Sequence, residues 1–325
     1  MIIPLSGAEA GVGNSIANAA SLALIDSGDR SIRLVTYDSA GGAGAAAQRA
    51  IAEGAELILG PLLSEDVRSV TPVARGANVP VVAFSNDSSV AGGGTYIMGS
   101  TPAQAIDRVV RYSRGRGAVR FGALVPTGLY GQRAAQAMLG SVRSSGGRLV
   151  GLETFNRSSA AARSAALMLG GRGEMDSVLI ADNGKISAVA ATALRPGAQL
   201  VGTELWAGDR TLGQTPRLRG ALYAAAPDAR FTQLVGRYKA RYGRVPYRLG
   251  SLGYDAMLLT VRAAKSWPIG RPFPTRSLAD RDGFAGVDGI FRFGRDGVAE
   301  RSLEVRQVTA TGTIVVSPAA GSFAK

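Results

Sequence analysis

The sequence predicts an α/β fold of two doubly wound, Rossmann-like lobes joined by a multi-strand hinge. Three observations carry this expectation. The length of 325 residues suffices for about two compact domains. Short β-rich runs alternate with helical apolar spacings, and the same alternation starts a second time near residue 119. Strands that alternate with helices form a parallel sheet covered on both faces, since each helix carries the chain back to begin the next strand in the same direction.

The first series opens with IIPLSG, a strand ending in a turn. A helical pattern follows over 15–25, then a β-rich run over 32–37 (IRLVTY), a helix over 43–53 and a short strand over 57–60 (LILG). A helix over 65–74, a strand over 80–84 (PVVAF) and a helix over 102–113 complete it. The second series reads RFGALVP, a helix over 132–144, LVGLETF, a helix over 160–169, SVLIA, a helix near 186–194 and QLVGTEL. The rhythm then changes to a strand over 222–226, helices over 229–242 and 251–266, and two or three antiparallel strands between 289 and 316. A tail that revisits both halves gives lobes of 1–100 plus 226–284 and of 101–225 plus 285–325, with a ligand cleft between them. No basic stretch precedes MIIPLSG, so Met1 is read as standing where a leader or lipid anchor was removed.

Composition excludes much chemistry. There is no Cys and no His, which removes thiolate and imidazole metal sites, Cys nucleophiles and any Ser-His-Asp triad. No metal, cofactor or enzymatic activity is expected. Forty-six per cent apolar residues describe an ordinary globular chain, with no apolar run near the roughly 18 residues of a membrane span. A net charge of +13 nominally invites a polyanion. Its bulk is Arg in a Gly-rich chain, which reads as compositional bias, and the densest run, Arg108, Arg111, Arg114, Arg116 and Arg120, has the spacing of a solvated helix face without an aromatic ladder. Nucleic acid is therefore not an expected partner, while an anionic surface remains a candidate contact.

Two motifs fail on inspection. Gly42 to Ala47 spells G-x-G-x-x-A, but four residues separate it from the preceding strand, and the next strand ends in Gly60-Pro61 where a ribose-binding acid belongs. Ser322 to Lys325 spells S-x-x-K without a partner motif. The loops say more. Ligands of open α/β sheets sit beyond the carboxyl ends of the strands, and polar residues recur there: Ser6 after IIPL, Ser64 after LILGPLL, Ser85 and Asn86 after PVVAF, Thr127 and Tyr130 after ALVP, Asp182 and Asn183 after SVLI, and Glu204 with Trp206 after QLVG. Each singly reads as a helix cap or turn residue. As a set they line one edge of each lobe, with Tyr130 and Trp206 as apolar walls.

IIPLSGAEAGVG, LILGPLLSEDVRSVTPVARGANVPVVAFSNDSS, GLYGQRAAQAM, LVGTELWAGD, FTQLVGRYKARYGRVP and GYDAMLLTVRAA together resemble the type I periplasmic binding fold of Leu/Ile/Val-type solute-binding proteins. The likeness covers nearly the whole chain. It implies a periplasmic protein that closes on a small polar, amino-acid-like ligand and delivers it to an ABC-type membrane transporter. It also implies that Ser64 and the Phe84-Ser85-Asn86 turn contact the ligand's carboxylate or amine from the first lobe, with Tyr130 and Glu204 or Trp206 facing them. GPLLSEDV and VGTELW are similar to the penicillin-binding-protein activator branch, which implies the alternative of a regulatory module touching a cell-wall synthase.

Overall fold

The computed structural model describes residues 1–268 and 270–323, so the last two residues of the S-x-x-K spelling lie outside the described residues. β1 (Ile2–Ile3) leads into α1 (Ala10–Ser27), followed by β2 (Tyr37–Asp38), α2 (Ala43–Ala52), β3 (Ile58–Leu59), α3 (Ser64–Gly76), β4 (Val81–Ala83) and β5 (Thr95–Ile97). α4 (Pro102–Gly115) opens the second series of β6 (Arg120–Pro126), α5 (Leu129–Ser144), β7 (Arg148–Phe155), α6 (Ser159–Gly170), β8 (Ser177–Ile180), α7 (Gly184–Ala193), β9 (Gln199–Gly202) and β10 (Leu222–Ala225). After α8 (Ala229–Tyr242) and α9 (Gly250–Ala264) come β11 (Phe284–Gly286), β12 (Gly289–Phe293), β13 (Ala299–Arg301), β14 (Glu304–Val308) and β15 (Thr313–Ser317).

Two compact units result. The first holds residues 1–101, 227–302 and the segment from 321, the second 102–226 and 303–320. Residues 285–302, expected in the second lobe, thus lie in the first unit. Their apolar side chains explain it: Phe291, Phe293 and Ala299 join Phe284 and Val287 in the core formed by α1 and α9.

In the first unit, β1 pairs in parallel with β2, and β3, β4 and β5 form a parallel ladder. Alternate side chains of each strand enter opposite cores, as a period of two requires. Ile2, Ile58, Val81 and Ala83 pack with α2 and α3, whereas Ile3, Leu59 and Val82 pack with α1, α8 and α9. Of the run 32–37 only Tyr37 enters the ladder, with Asp38 after it, opposite Ile2 and Ile3, while the Met1 amino group donates to the Val35 carbonyl at 2.6 Å.

The second unit has one seven-stranded sheet in the order β15-β14-β10-β9-β8-β6-β7, parallel except for β14 and β15. Leu124, Val178, Ile180, Leu200 and Tyr223 face α6 and α7, while Ala123, Val125, Leu179, Val201 and Leu222 face α4 and α5. Both units join strand to helix in the same way. A Cβ at Gly13 would stand 1.7 Å from the Pro4 carbonyl oxygen, and one at Gly131 would stand 1.5 Å from that of Pro126. Only glycine lets the first turns of α1 and α5 settle on the ends of the strands before them.

One buried polar cluster fastens β11 and β12 to α9. Asp255 is 1 % exposed and accepts hydrogen bonds from the N–H groups of Val287 (2.6 Å) and Asp288 (3.4 Å). Asp288 in turn accepts from Arg248 and from the Ser251 hydroxyl (2.6 Å). Burial, and secondly the charge of Asp288, push the Asp255 carboxyl up to about 7 against the pull of Arg301.

Candidate functional site

At the strand ends of the first unit, Ser6 is exposed and its hydroxyl donates to Asp38 Oδ2 at 2.6 Å. The same carboxylate accepts from the N–H groups of Leu5 (2.9 Å) and Ala40 (3.0 Å). These bonds, that from Ser6 foremost, hold Asp38 down at about 2. Ser64 is the first residue of α3 and half-buried. Ser85 is buried, its hydroxyl accepting from Asp87 N–H at 3.1 Å, while Asn86 between them is exposed. Asp87 caps the following turn and meets Arg68 Nη2 at 3.0 Å. Phe84 departs from its expected role: it is 2 % exposed and belongs to the core with Val82 and Met98.

The strand ends of the second unit gather a tighter set. Tyr130, in the first turn of α5, places its hydroxyl 2.9 Å from Thr203 Oγ1 and donates to Glu204 Oε1 at 3.1 Å. Glu204 Oε2 is buried and has no hydrogen-bond partner. Burial raises the Glu204 carboxyl above its ordinary value, against opposing hydrogen bonds from its own backbone and Tyr130. Burial also raises the Tyr130 hydroxyl, and the nearby Glu204 charge adds to this. Arg157 lies over the Tyr130 ring, 5.6 Å from its centroid, and its Nε is 3.2 Å from Asp182 Oδ2. That contact is an ion pair too poorly directed to count as a hydrogen bond.

Asn183 is exposed and caps α7, accepting from Ile186 N–H at 3.1 Å. Trp206 is no surface wall. It is fully buried, and its indole N–H lies 3.0 Å from the Asp182 carbonyl oxygen and 3.1 Å from Ser187 Oγ.

The sequence reading passed over Asp38 and Arg157. Each lies within two residues of a strand end, the signal that singled out their neighbours. The basic run expected on one helix face spans α4 and the start of β6 and is largely occupied: Arg108 donates to the Leu303 carbonyl and Ser317, Arg111 pairs with Asp107, Arg114 binds the Ser145 and Ala118 carbonyls, and Arg120 of β6 pairs with Glu174 and Asp176. A cavity of about 250 Å³ in the first unit, lined by Ile32, Leu34, Leu57, Met257 and Trp267, includes none of the expected site residues. Among the described residues no group of three acidic side chains is placed to hold a metal ion, and no helix is long and apolar enough to cross a membrane.

The family model described as periplasmic binding protein matches residues 1–313. Among solved structures, a protein of Rhodospirillum rubrum assigned to branched-chain amino acid ABC transport superposes with a TM-score of 0.83 at 21 % identity, covering 97 % of this chain and 98 % of that one. The ABC transporter substrate-binding protein of Desulfitobacterium hafniense in complex with Leu gives 0.74 at 18 %, with 97 % and 98 % covered. A solute-binding protein of Rhodopseudomonas palustris BisB5 in complex with 3,4-dihydroxybenzoic acid gives 0.72 at 18 %, with 99 % and 95 % covered. An uncharacterized protein of Rickettsia prowazekii (strain Madrid E) is 27 % identical over 140 residues, which span 42 % of this chain and 38 % of that relative.

Proposed function

Because the chain belongs to the periplasmic binding protein family and has its type I fold, we propose that it is a periplasmic, non-enzymatic receptor for a small polar, amino-acid-like ligand, which it delivers to an ABC-type membrane transporter. The observation that carries the reading is Glu204: a carboxylate oxygen buried without a hydrogen-bond partner, beside an oriented Tyr130 hydroxyl. A buried acceptor left unpaired is costly, and a ligand ammonium or hydroxyl would satisfy it. Ser64, Ser85 and Asn86 are the proposed contacts from the first unit, and Tyr130, Asn183 and Glu204 those from the second.

The test is a thermal-shift screen against amino acids, small carboxylates, sugars and muropeptides. A ligand at about 100 times its dissociation constant adds roughly 2.7 kcal/mol, which raises Tm by about 5 to 10 °C. Glu204→Gln is expected to abolish the shift given by an amine-bearing ligand. A flat response across the whole panel would turn the reading to the activator-like module that acts through protein contacts.

A further inference from the structure

Arg157 is held from several sides. Its neighbour Asn156 accepts a hydrogen bond from Thr127 Oγ1 at 3.0 Å, and Ser158 on its other side caps α6 by accepting from Ala161 N–H at 3.2 Å. The main chain is further tied where Thr127 N–H donates to the Phe155 carbonyl at 2.8 Å. The guanidinium rests on the Tyr130 ring and meets buried Asp182 through Nε. Among the described residues Asp182 is its one acidic partner, and half of the Arg157 side chain is exposed.

A guanidinium engaged along its Nε side still carries the two Nη groups, whose parallel N–H bonds fit the two oxygens of a carboxylate. The pairing with Asp182 runs through Nε, and half of the side chain stays exposed to an incoming ligand.

We propose that Arg157 is a specificity-determining residue of the second unit, receiving a carboxylate of the ligand on its Nη pair, so that the substrate class is small organic acids and their neutral amides are rejected. The proposal rests on the solute-binding reading above. It adds a residue that neither the strand-end pattern nor the family likeness singles out.

The experiment titrates the full chain, by calorimetry and thermal shift, with three acid and amide pairs: L-leucine and L-leucinamide, benzoate and benzamide, succinate and succinamide. At least one acid is expected to bind the wild type at least about tenfold more tightly than its amide, since a bidentate charged contact is lost in the amide. Arg157→Gln is expected to weaken that acid about thirtyfold and to erase the preference, whereas Arg157→Lys, which keeps the charge without the fork, should fall between the two. Tyr130→Phe retains the ring beneath the guanidinium and should retain the acid-over-amide preference even where affinity drops. Should Arg157→Gln fail to fold, as judged by circular dichroism, Arg157→Lys carries the test. An amide that binds as well as its acid, or an Arg157 variant with undiminished preference, overturns the role of Arg157 and leaves the receptor reading standing. Silence of the wild type toward all six probes and the wider panel overturns both.

Discussion

A side chain near a strand end can point outward to a ligand or inward to a core, and position along the chain does not distinguish the two. Phe84 and Trp206 occupy such positions and turn inward. The Trp206 indole closes the core over α7 and uses its N–H on the Asp182 carbonyl and Ser187. Trp206→Phe is therefore expected to destabilise the protein by about 2 kcal/mol, through a lost hydrogen bond and a small cavity, measured by chemical denaturation. A ligand-facing tryptophan would instead change affinity at nearly constant stability. Arg157 is the opposite case. It was legible as a polar residue just past LETF, yet its significance depends on Tyr130 and Asp182, which are 27 and 25 residues away and meet it only once the sheet order is set.

At the scale of elements, helices were more legible than strands. The 3.6-residue spacing locates α4, α6 and α8 closely, because one apolar stripe per helix is enough to anchor them. Strand content depends on partners, so IRLVTY pairs only at its end and β5 escaped notice, its short TYI run being defined by the ladder with β4. Residues 285–302, expected in the second lobe, belong to the first unit, whose chain precedes them while that of the second follows. Their attachment to α9 through Asp255 yields a pH prediction. An acid whose folded-state value, about 7, lies above the unfolded 3.8 is favoured in its protonated form by folding. Stability from this group is complete below about pH 4, declines as the unfolded chain alone loses the proton, and levels off above about 7. Asp255→Asn should flatten the decline of Tm between pH 5 and 7.5. Its overall stability should drop by about 1 to 3 kcal/mol, since one of the two N–H groups now faces an amide NH₂.

For the molecule as a whole, two repeats of one supersecondary plan were readable from periodicity, whereas the demand for glycine at Gly13 and Gly131 emerges only from the close approach of each helix to the Pro4 and Pro126 carbonyls. Charge was the poorer guide. The excess of +13 is a property of the sum, while the basic residues of α4 and Arg120 of β6 are occupied by carbonyls and acids. Retention on a heparin column should accordingly be weak and strongly salt-dependent, and Arg111→Ala or Arg116→Ala should change it no more than removal of an arbitrary surface arginine. A sharp loss with either variant would restore a dedicated polyanion surface along α4 and the turn that follows it.

The two-faced strands of the second unit impose a parity rule on change. Leu124 serves one core while Ala123 and Val125 serve the other. Deleting or inserting a single residue within β6 would exchange the contents of both layers beyond that point unless a bulge absorbed it, as one absorbs the extra residue of β7 between Leu149 and Gly151. Two residues added together preserve the facing and displace only the register. Odd steps within these strands therefore call for a bulge, as at Val150 of β7, whereas the loops at their amino ends, away from the turn where Gly131 closes on Pro126, carry no such demand.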